Sequence, residues 1–290
     1  MPTPIQDVAM LDSARPRTGV RFVLLVKAGL RDLVSRRRLI RYLVGADLKR
    51  THADTVIGQL WWILDPILQV AVYYVVFDLI FRRSTPDFLL FLLSGVLPWK
   101  WFNSAVTDSM GSVVGRQPLI RQVPFPKIVL PTSSTIAGTV SFAIGLTSLA
   151  VVFLLYLHRL TFWILTLPLI ALVQFVFSLA LALLLSAANS FYRDVANVVG
   201  HILRLWFYVS PILYTTDDLP HNPTVRFLYS LNPFTTLLTA YHDVIWGTPT
   251  GVGRAPDFMA LGVLLAVSLV LLMLAIALFK RVEPSFARIL

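Results

Sequence analysis

Three kinds of side chain could carry chemistry: histidines and acidic residues able to bind metal or move protons, isolated charges in apolar stretches, and closely spaced aromatic rings. The five histidines, His52, His158, His201, His221 and His242, fall in unrelated segments, and none sits in H-E-x-x-H, the spacing that sets two imidazoles on one helix face around zinc. Asp217 and Asp218 stand close to Pro220, which reads as a turn or helix cap rather than a metal site. No Ser-His-Asp arrangement can be assembled. The pattern G-x-x-x-x-G-K-[ST], whose backbone amides cradle phosphates, does not occur. The expectation is a chain with no catalytic residues, no metal and no nucleotide of its own.

Asp65, Asp78, Lys100, Asp108 and Arg204 lie within apolar stretches. Ionisable groups at membrane depth are costly and mark either function or ion pairs. Asp65, next to Pro66, is expected near the start of its stretch, and Asp78, Lys100 and Asp108 near interfaces. Arg204 falls nearer mid-stretch, where a structural ion pair with an aspartate is the alternative to a functional role. No chain of carboxylates suited to a proton relay is present. Among the aromatics, Trp61, Trp62, Tyr73, Tyr74, Trp99, Trp101 and Phe102 stand out: the tyrosines are mid-stretch and Trp99 and Trp101 follow Pro98. Trp and Tyr commonly form belts at membrane interfaces. Sugar rings also stack their apolar C–H faces on aromatic rings, much as other rings do, so these seven residues are candidates for an aromatic-lined sugar path.

The elements that must position these groups are apolar helices. The chain is 57% hydrophobic and 14% charged, with a mean hydropathy of +0.74, whereas soluble domains carry about 25% charged residues. The spacing predicts an all-α polytopic membrane protein. Six stretches could cross: 60–81, 87–113, 128–157, 161–191, 196–214 and 257–279, each near the ~20 residues a span requires. The third and fourth are long, with Pro131 and Pro168 as expected kink points. There is no Cys, which excludes disulfides and thiolate metal sites. With residue 1 inside, the inner segments hold 18 Lys/Arg and the outer ones 5, which puts both termini in the cytoplasm despite Arg82 and Arg83. The first twenty residues lack the apolar core of a signal peptide.

Net charge is +10, and residues 1–59 hold 11 Lys/Arg against 5 Asp/Glu. In so apolar a chain this points to anionic lipid headgroups, not nucleic acid. Residues 20–34 are too short and charged to span, and 36–57 set Arg36, Arg37, Arg38 and Arg41 beside Ile40, Leu43 and Val44. This is the pattern of a basic amphipathic helix lying in the headgroup plane, with a solvated helix as the alternative. Residues 215–256, rich in Pro, suit short re-entrant or interfacial helices before the last span. The organisation expected is a cytoplasmic N-terminal segment 1–58, a permeating membrane domain 59–280 and a tail 281–290.

Several motifs then occur in order: LKRTHADTVIGQLWWILDPIL, the loop LIRQVPFPKIVLP at 119–131, FYRDVANVV at 191–199, YVSPILY at 208–214, LNPFTTLLTAYHDVIWG at 231–247, and the tail FKRVEPSFARIL. Together they resemble the type-2 ABC exporter permeases that move polysaccharides, of the O-antigen, teichoic-acid and capsule kind (Wzm-, TarG- and KpsM-like), over residues 39–290. Where that family usually ends with Asp after a Phe-Ala pair, this chain has Arg288.

The resemblance implies a transmembrane permease subunit in the bacterial inner membrane, working as two permease chains with two separate ATPase chains that bind ATP and magnesium. It implies a polyprenyl-pyrophosphate-linked glycan as substrate, with a cell-wall galactan among the options. The lipid phosphates would meet Arg36, Arg37, Arg38 and Arg41, and the sugar chain would thread past the seven aromatics. Coupling to the ATPase would fall to Arg193 and Asp194, in the tight turn after the fourth span, and to Arg116, Arg121, Phe125 and Lys127. Competing expectations are an ABC permease for drugs or small lipids, and, from another class, a membrane-embedded polyprenyl-phosphate transferase, for which no acid/base or metal cluster can be assembled.

Overall fold

A computed structural model describes residues 18–51, 55–82, 85–215, 218–220, 222–248 and 251–289. His52, His221 and Asp217 lie outside them. Among the described residues there are helices and turns and no strand. Two helices precede the first apolar one, α1 (Thr18–Ser35) and α2 (Arg37–Thr51). Then come α3 (Trp61–Tyr74), which continues as a π-helical turn over Val75–Ile80, α4 (Phe88–Ser112) and the short α5 (Gln117–Gln122). After them follow α6 (Val129–Phe153), α7 (Leu167–Phe191), α8 (Val195–Val209), α9 (Pro223–Leu231), α10 (Pro233–Ile245) and α11 (Phe258–Ile289).

Five of these are long and apolar enough to cross a membrane: Trp61–Ile80, Phe88–Ser112, Val129–Phe153, Phe162–Phe191 and Phe258–Phe286. The stretch expected at 196–214 is shorter. α8 has 15 residues and stops at Ser210–Pro211, giving it a length of about 22 Å against ~30 Å of hydrocarbon. Pro131 and Pro168 do not kink their helices. Both sit in the first turn, where a missing N–H costs no hydrogen bond. The prolines inside helices are Pro66, Pro98 and Pro284.

α4 is the central post. It packs against α6, α7, α3, α10 and α8, and 18 of its residues are buried. Polar contacts reinforce it where it meets its neighbours: Gln174 Nε2 donates to the Pro98 carbonyl at 2.7 Å, Asn189 Nδ2 to the Met110 carbonyl at 3.0 Å, and Ser109 and Thr135 hydroxyls lie 2.9 Å apart. Such bonds hold membrane helices together, since lipid is as apolar as the helix surfaces. At Gly95 a Cβ would stand 3.0 Å from the Ile212 carbonyl oxygen, so a side chain there would separate α4 from the segment after α8. α3 packs against both α4 and α6. The Trp62 backbone lies against Gly145, Tyr73 stacks on Phe207 of α8 at 5.9 Å, and Phe77 meets Phe88 at 6.5 Å.

Both ends are tied. At one end Lys280 of α11 pairs with Asp32 of α1 at 2.7 Å and with Glu283, whose carboxylate also accepts the Lys127 N–H. Phe286, fully buried, packs on Phe279 and Phe191. The tail motif K-R-V-E-P-S-F is therefore a knot joining α1, α11 and the loop before α6. At the other end Arg159 donates to Asp87 at 2.6 Å and to the Thr248 carbonyl at 2.8 Å, and also to the Gly251 carbonyl. Trp246 Nε1 donates to the Pro86 carbonyl at 2.8 Å. Asp87 sits in the left-handed region (φ 51), which Asp and Asn tolerate best among residues with a side chain.

Burial alone would raise the Asp87 carboxyl above its ordinary value, but Arg159 and His158, the latter at 3.1 Å, more than reverse this and hold it below 3.8. A carboxyl lowered on folding adds stability above its unfolded value, and that stability is lost as pH falls through the folded one. The expected outcome is that acid loosens this clip only below pH about 3.8. Asp87→Asn, which keeps the backbone conformation, should remove that acid step and lower the melting temperature at neutral pH. Thermal unfolding from pH 3 to 8 checks both.

Candidate functional site

A cavity of about 630 Å³ is a groove bounded by α2, α3, α4 and α6. This lies within the ~300–1,000 Å³ of small-molecule sites. One wall is a stripe of α4: Leu97, Lys100, Trp101, Ser104, Asp108, Gly111 and Ser112, spaced three and four apart as one helical face requires. From Leu97 to Ser112 the groove runs about 22 Å. The facing wall on α6 is made of small residues, Ser134, Ala137, Gly138, Ser141 and Gly145, with Phe142 among them. Their size is what leaves the space open. At the mouth stand Asp47 and Arg50 of α2 and Arg116. At the other end Trp61, Trp62, Asp65 and Pro66 of α3 form a roof.

Charge is arranged lengthwise. Arg116 pairs with Asp47, and Ser134 donates to the same carboxylate at 3.2 Å. Deeper in, Lys100 pairs with Asp65, with side chains 32% and 58% exposed. Lys100 is therefore not near an interface, as its sequence position suggested. It lies twelve residues from either end of α4, at the helix middle. Asp108 is exposed on the groove wall and has no hydrogen-bond or ion-pair partner among the described residues. Charge at the middle of a spanning helix is tolerated against water or an opposite charge, and here Lys100 meets Asp65 within the groove.

The seven aromatic candidates divide. Trp61, Trp62 and Trp101 line the groove, Trp101 stacking on Phe142 at 4.4 Å. Trp99 and Phe102 face away into a cluster with Trp206, Phe207 and Phe234: Trp99 to Phe234 is 4.9 Å and Phe102 to Phe234 is 4.4 Å. Trp99 is 6% exposed and Phe102 is fully buried. Tyr73 and Tyr74 are half-buried on α3, outside the groove.

The charged candidates also divide. Arg36, Arg37, Arg38 and Arg41 are all exposed on one flank of the bundle, with no ion pair among the described residues. Arg193 and Asp194 are exposed at the α7–α8 turn, as is Arg121. Phe125 is buried in the cluster with Phe279 and Phe286, Lys127 is held through its backbone N–H by Glu283, and Arg116 is turned into the groove mouth. The Lys280–Asp32–Glu283 knot and the small-residue wall of α6 were not anticipated, and Asp108 was expected only as a charge near an interface, not on a groove wall. The wall and Asp108 had a signal, a three-and-four spacing of small and polar residues. The knot joins residues 248 positions apart and had none.

Among the described residues no group of His, Asp and Glu could hold a metal. His242 is buried with Ser94 Oγ at 2.7 Å and the Pro211 carbonyl at 2.9 Å, beside a cavity of only about 60 Å³. It serves as a three-way tie between α4, α10 and the end of α8.

The profile of the ABC-2 type transporter family matches residues 38–246. The chain is similar to the O-antigen export system permease protein RfbA of Myxococcus xanthus, 33% identical over 258 residues that cover 89% of this chain and 97% of that one. It is similar to the protein of the same name from Klebsiella pneumoniae, 27% identical, covering 87% and 95%. It is also similar to the polysialic acid transport protein KpsM of Escherichia coli, 22% identical, covering 79% and 87%.

The division of the tryptophans is testable. Trp99→Ala should cost about 3–5 kcal/mol of stability, as loss of a large core ring does, while Trp62→Ala at the groove roof should cost about 1 kcal/mol or less. Thermal unfolding of the two purified variants compares them directly.

Proposed function

The chain belongs to the ABC-2 type transporter family, and from that premise we propose that it is the membrane-spanning subunit of an ATP-driven exporter of lipid-linked polysaccharide. The observation that carries the reading is the polar groove roofed by Trp61 and Trp62. Its polar walls and aromatic faces suit a sugar chain, whose hydroxyls need hydrogen bonds and whose C–H faces need rings. The relatives named for O-antigen and polysialic acid export support the same substrate class. Drugs or small lipids are the less favoured cargo, because a groove carrying Asp65, Lys100 and Asp108 is too polar for them.

The working unit in this reading is two copies of this chain with two ATPase chains, which bind ATP and magnesium. The exposed apolar flanks of α3 and α8, with Leu68, Val72, Ile202 and Leu205, are the surfaces the second copy would cover. α8 with the segment after it would make a sixth crossing, and α9 and α10 a re-entrant hairpin. In support, Phe234 at the start of α10 touches Phe102, fourteen residues, about 21 Å, along α4 from its outer end. The protein would sit in the inner membrane with both termini cytoplasmic. The exposed arginines of α2 would meet the lipid phosphates.

Exposed Arg193 and Asp194 would fit a cleft in the ATPase and transmit its closure as a rigid push along α7 and α8. The chain alone should hydrolyse no ATP, and with its cognate ATPase it should form a two-plus-two assembly. Arg193→Ala with Asp194→Ala should leave that assembly intact while substrate-stimulated hydrolysis and export both fall at least about tenfold. Wild-type export from an intact double variant would remove the turn from the mechanism. Neutralising Arg36, Arg37 and Arg38 together should weaken binding to anionic vesicles and reduce export; unchanged export at normal expression would make that face merely solvated.

A further inference from the structure

The tip of α11 touches both segments expected to meet the ATPase. Glu283 accepts the backbone N–H of Lys127, in the loop that follows α5. Its other carboxylate oxygen meets Lys280 Nζ, which also pairs with Asp32 of α1 at 2.7 Å. Phe286, one turn further on, meets Phe191 at 5.8 Å, two residues before Arg193 in the α7–α8 turn. One backbone bond is missing at this tip, because Pro284 has no N–H to give the Lys280 carbonyl. The Lys280 and Glu283 side chains bridge that gap. They are 13% and 9% exposed, and pairs so covered are screened little by salt.

From Asp32 the connection runs on to the groove. A Cβ on Gly29 would overlap Ile276 Cγ2, so α1 lies against α11 as closely as only glycine allows. Two backbone bonds cross the junction of α1 with α2: Arg36 N–H donates to the Asp32 carbonyl and Ile40 N–H to the Arg36 carbonyl, both at 3.0 Å. α2 then sets Ile40 and Leu43 in the same apolar cluster as Phe125, Phe279 and Phe286. One turn past Leu43, Asp47 pairs with Arg116 and accepts from Ser134 at the groove mouth. α1 and α2 are thus a lever, gripped by the α11 tip and ending on the mouth. We propose that the α11 tip carries movement of the two ATPase-facing segments to this lever as one rigid body, so that the ATPase sets the width of the groove mouth, and that Glu283 is the positioning residue at the joint. This rests on the reading of those segments as ATPase contacts and of the groove as part of the glycan path.

The test uses the chain reconstituted with its cognate ATPase in proteoliposomes, with a polyprenyl-pyrophosphate-linked glycan as the probe. Basal hydrolysis, glycan-stimulated hydrolysis and glycan uptake are measured together. Glu283→Ala and Asp32→Ala should assemble and keep basal hydrolysis, while stimulated hydrolysis and uptake fall about tenfold or more. Glu283→Gln, which keeps an acceptor for the Lys127 N–H, should retain most of the uptake that Glu283→Ala loses. The chain has no cysteine, so Gly29→Cys with Ile276→Cys permits a single disulfide, their Cβ positions being no further apart than the ~3.5–4.5 Å such a bond spans. Formed by oxidation in the Asp32→Ala chain, that bond should restore uptake, and reduction should abolish it again. In the otherwise unchanged chain it should leave uptake intact. Uptake stopped by the bond there means that α1 and α11 must part during the cycle, which overturns the rigid joint. Should Glu283→Ala assemble poorly, Asp32→Ala, which spares the Lys127 bond, decides; loss of assembly in both makes the knot a staple and overturns the proposal. Wild-type uptake by both alanine variants overturns the joint while leaving the exporter standing. A wild type that neither takes up the glycan nor is stimulated by it overturns the exporter reading, and the joint with it.

Discussion

Hydrocarbon solvates neither charge nor unpaired backbone, and α4 is where this chain answers that constraint on two sides at once. One face of the helix carries Lys100, Ser104 and Asp108 and needs water or opposite charge. The other carries Trp99, Phe102 and Val106 and must be dry. The polar face has room for both because α6 opposes it with Ser, Ala and Gly. The dry face exists because Phe177, Trp206, Phe207 and Phe234 close over it from three other helices. Change the small wall of α6 to large side chains and the charges lose that room. Open the ring cluster and the post loses its support.

The ends of the bundle follow from the same constraint. Each carries a polar tie made of a buried cation and several oxygens: Lys280 with Asp32 and Glu283 on one side, Arg159 with Asp87 and two loop carbonyls on the other. Between these ties the helices are joined by single neutral bonds from Gln174, Asn189 and Ser109. Charge-assisted contacts thus close both ends, where loops would otherwise be free to move apart, and one more, between Lys100 and Asp65, joins α4 to α3 inside the groove.

Much of this was legible in the sequence. The four long apolar helices Phe88–Ser112, Val129–Phe153, Phe162–Phe191 and Phe258–Phe286 match expected stretches closely, because twenty apolar residues leave few alternatives. The basic helix before α3 and the order of the motifs were also readable. Depth was not. Lys100 was expected near an interface although the stretch 87–113 already centres on it, and the ends of α4 place it in the middle of the helix. The aromatic path was overdrawn for a reason already in the spacing: Trp99 and Trp101, two residues apart on an α-helix, point about 200° apart and cannot share one lining. α8 is shorter than the stretch expected at 196–214, because hydropathy continues through Pro211 while the helix stops before it. The ties at the two ends pair residues far apart in the chain and leave no local trace.

The roof of the groove has a consequence for the membrane potential. A groove filled with water from one surface to Trp62 and Leu97 would be at nearly the voltage of the compartment it opens to. The potential must then fall across the remaining thickness of α4, between Leu97 and Phe88, where Phe91 and Leu92 leave no room for water. A field spread over about 30 Å of ordinary bilayer is compressed into roughly half of that. Each unit charge crossing the barrier still experiences about 2.3 kcal/mol per 100 mV, but over a shorter and steeper path, and Lys100 with Asp65 stands at its foot.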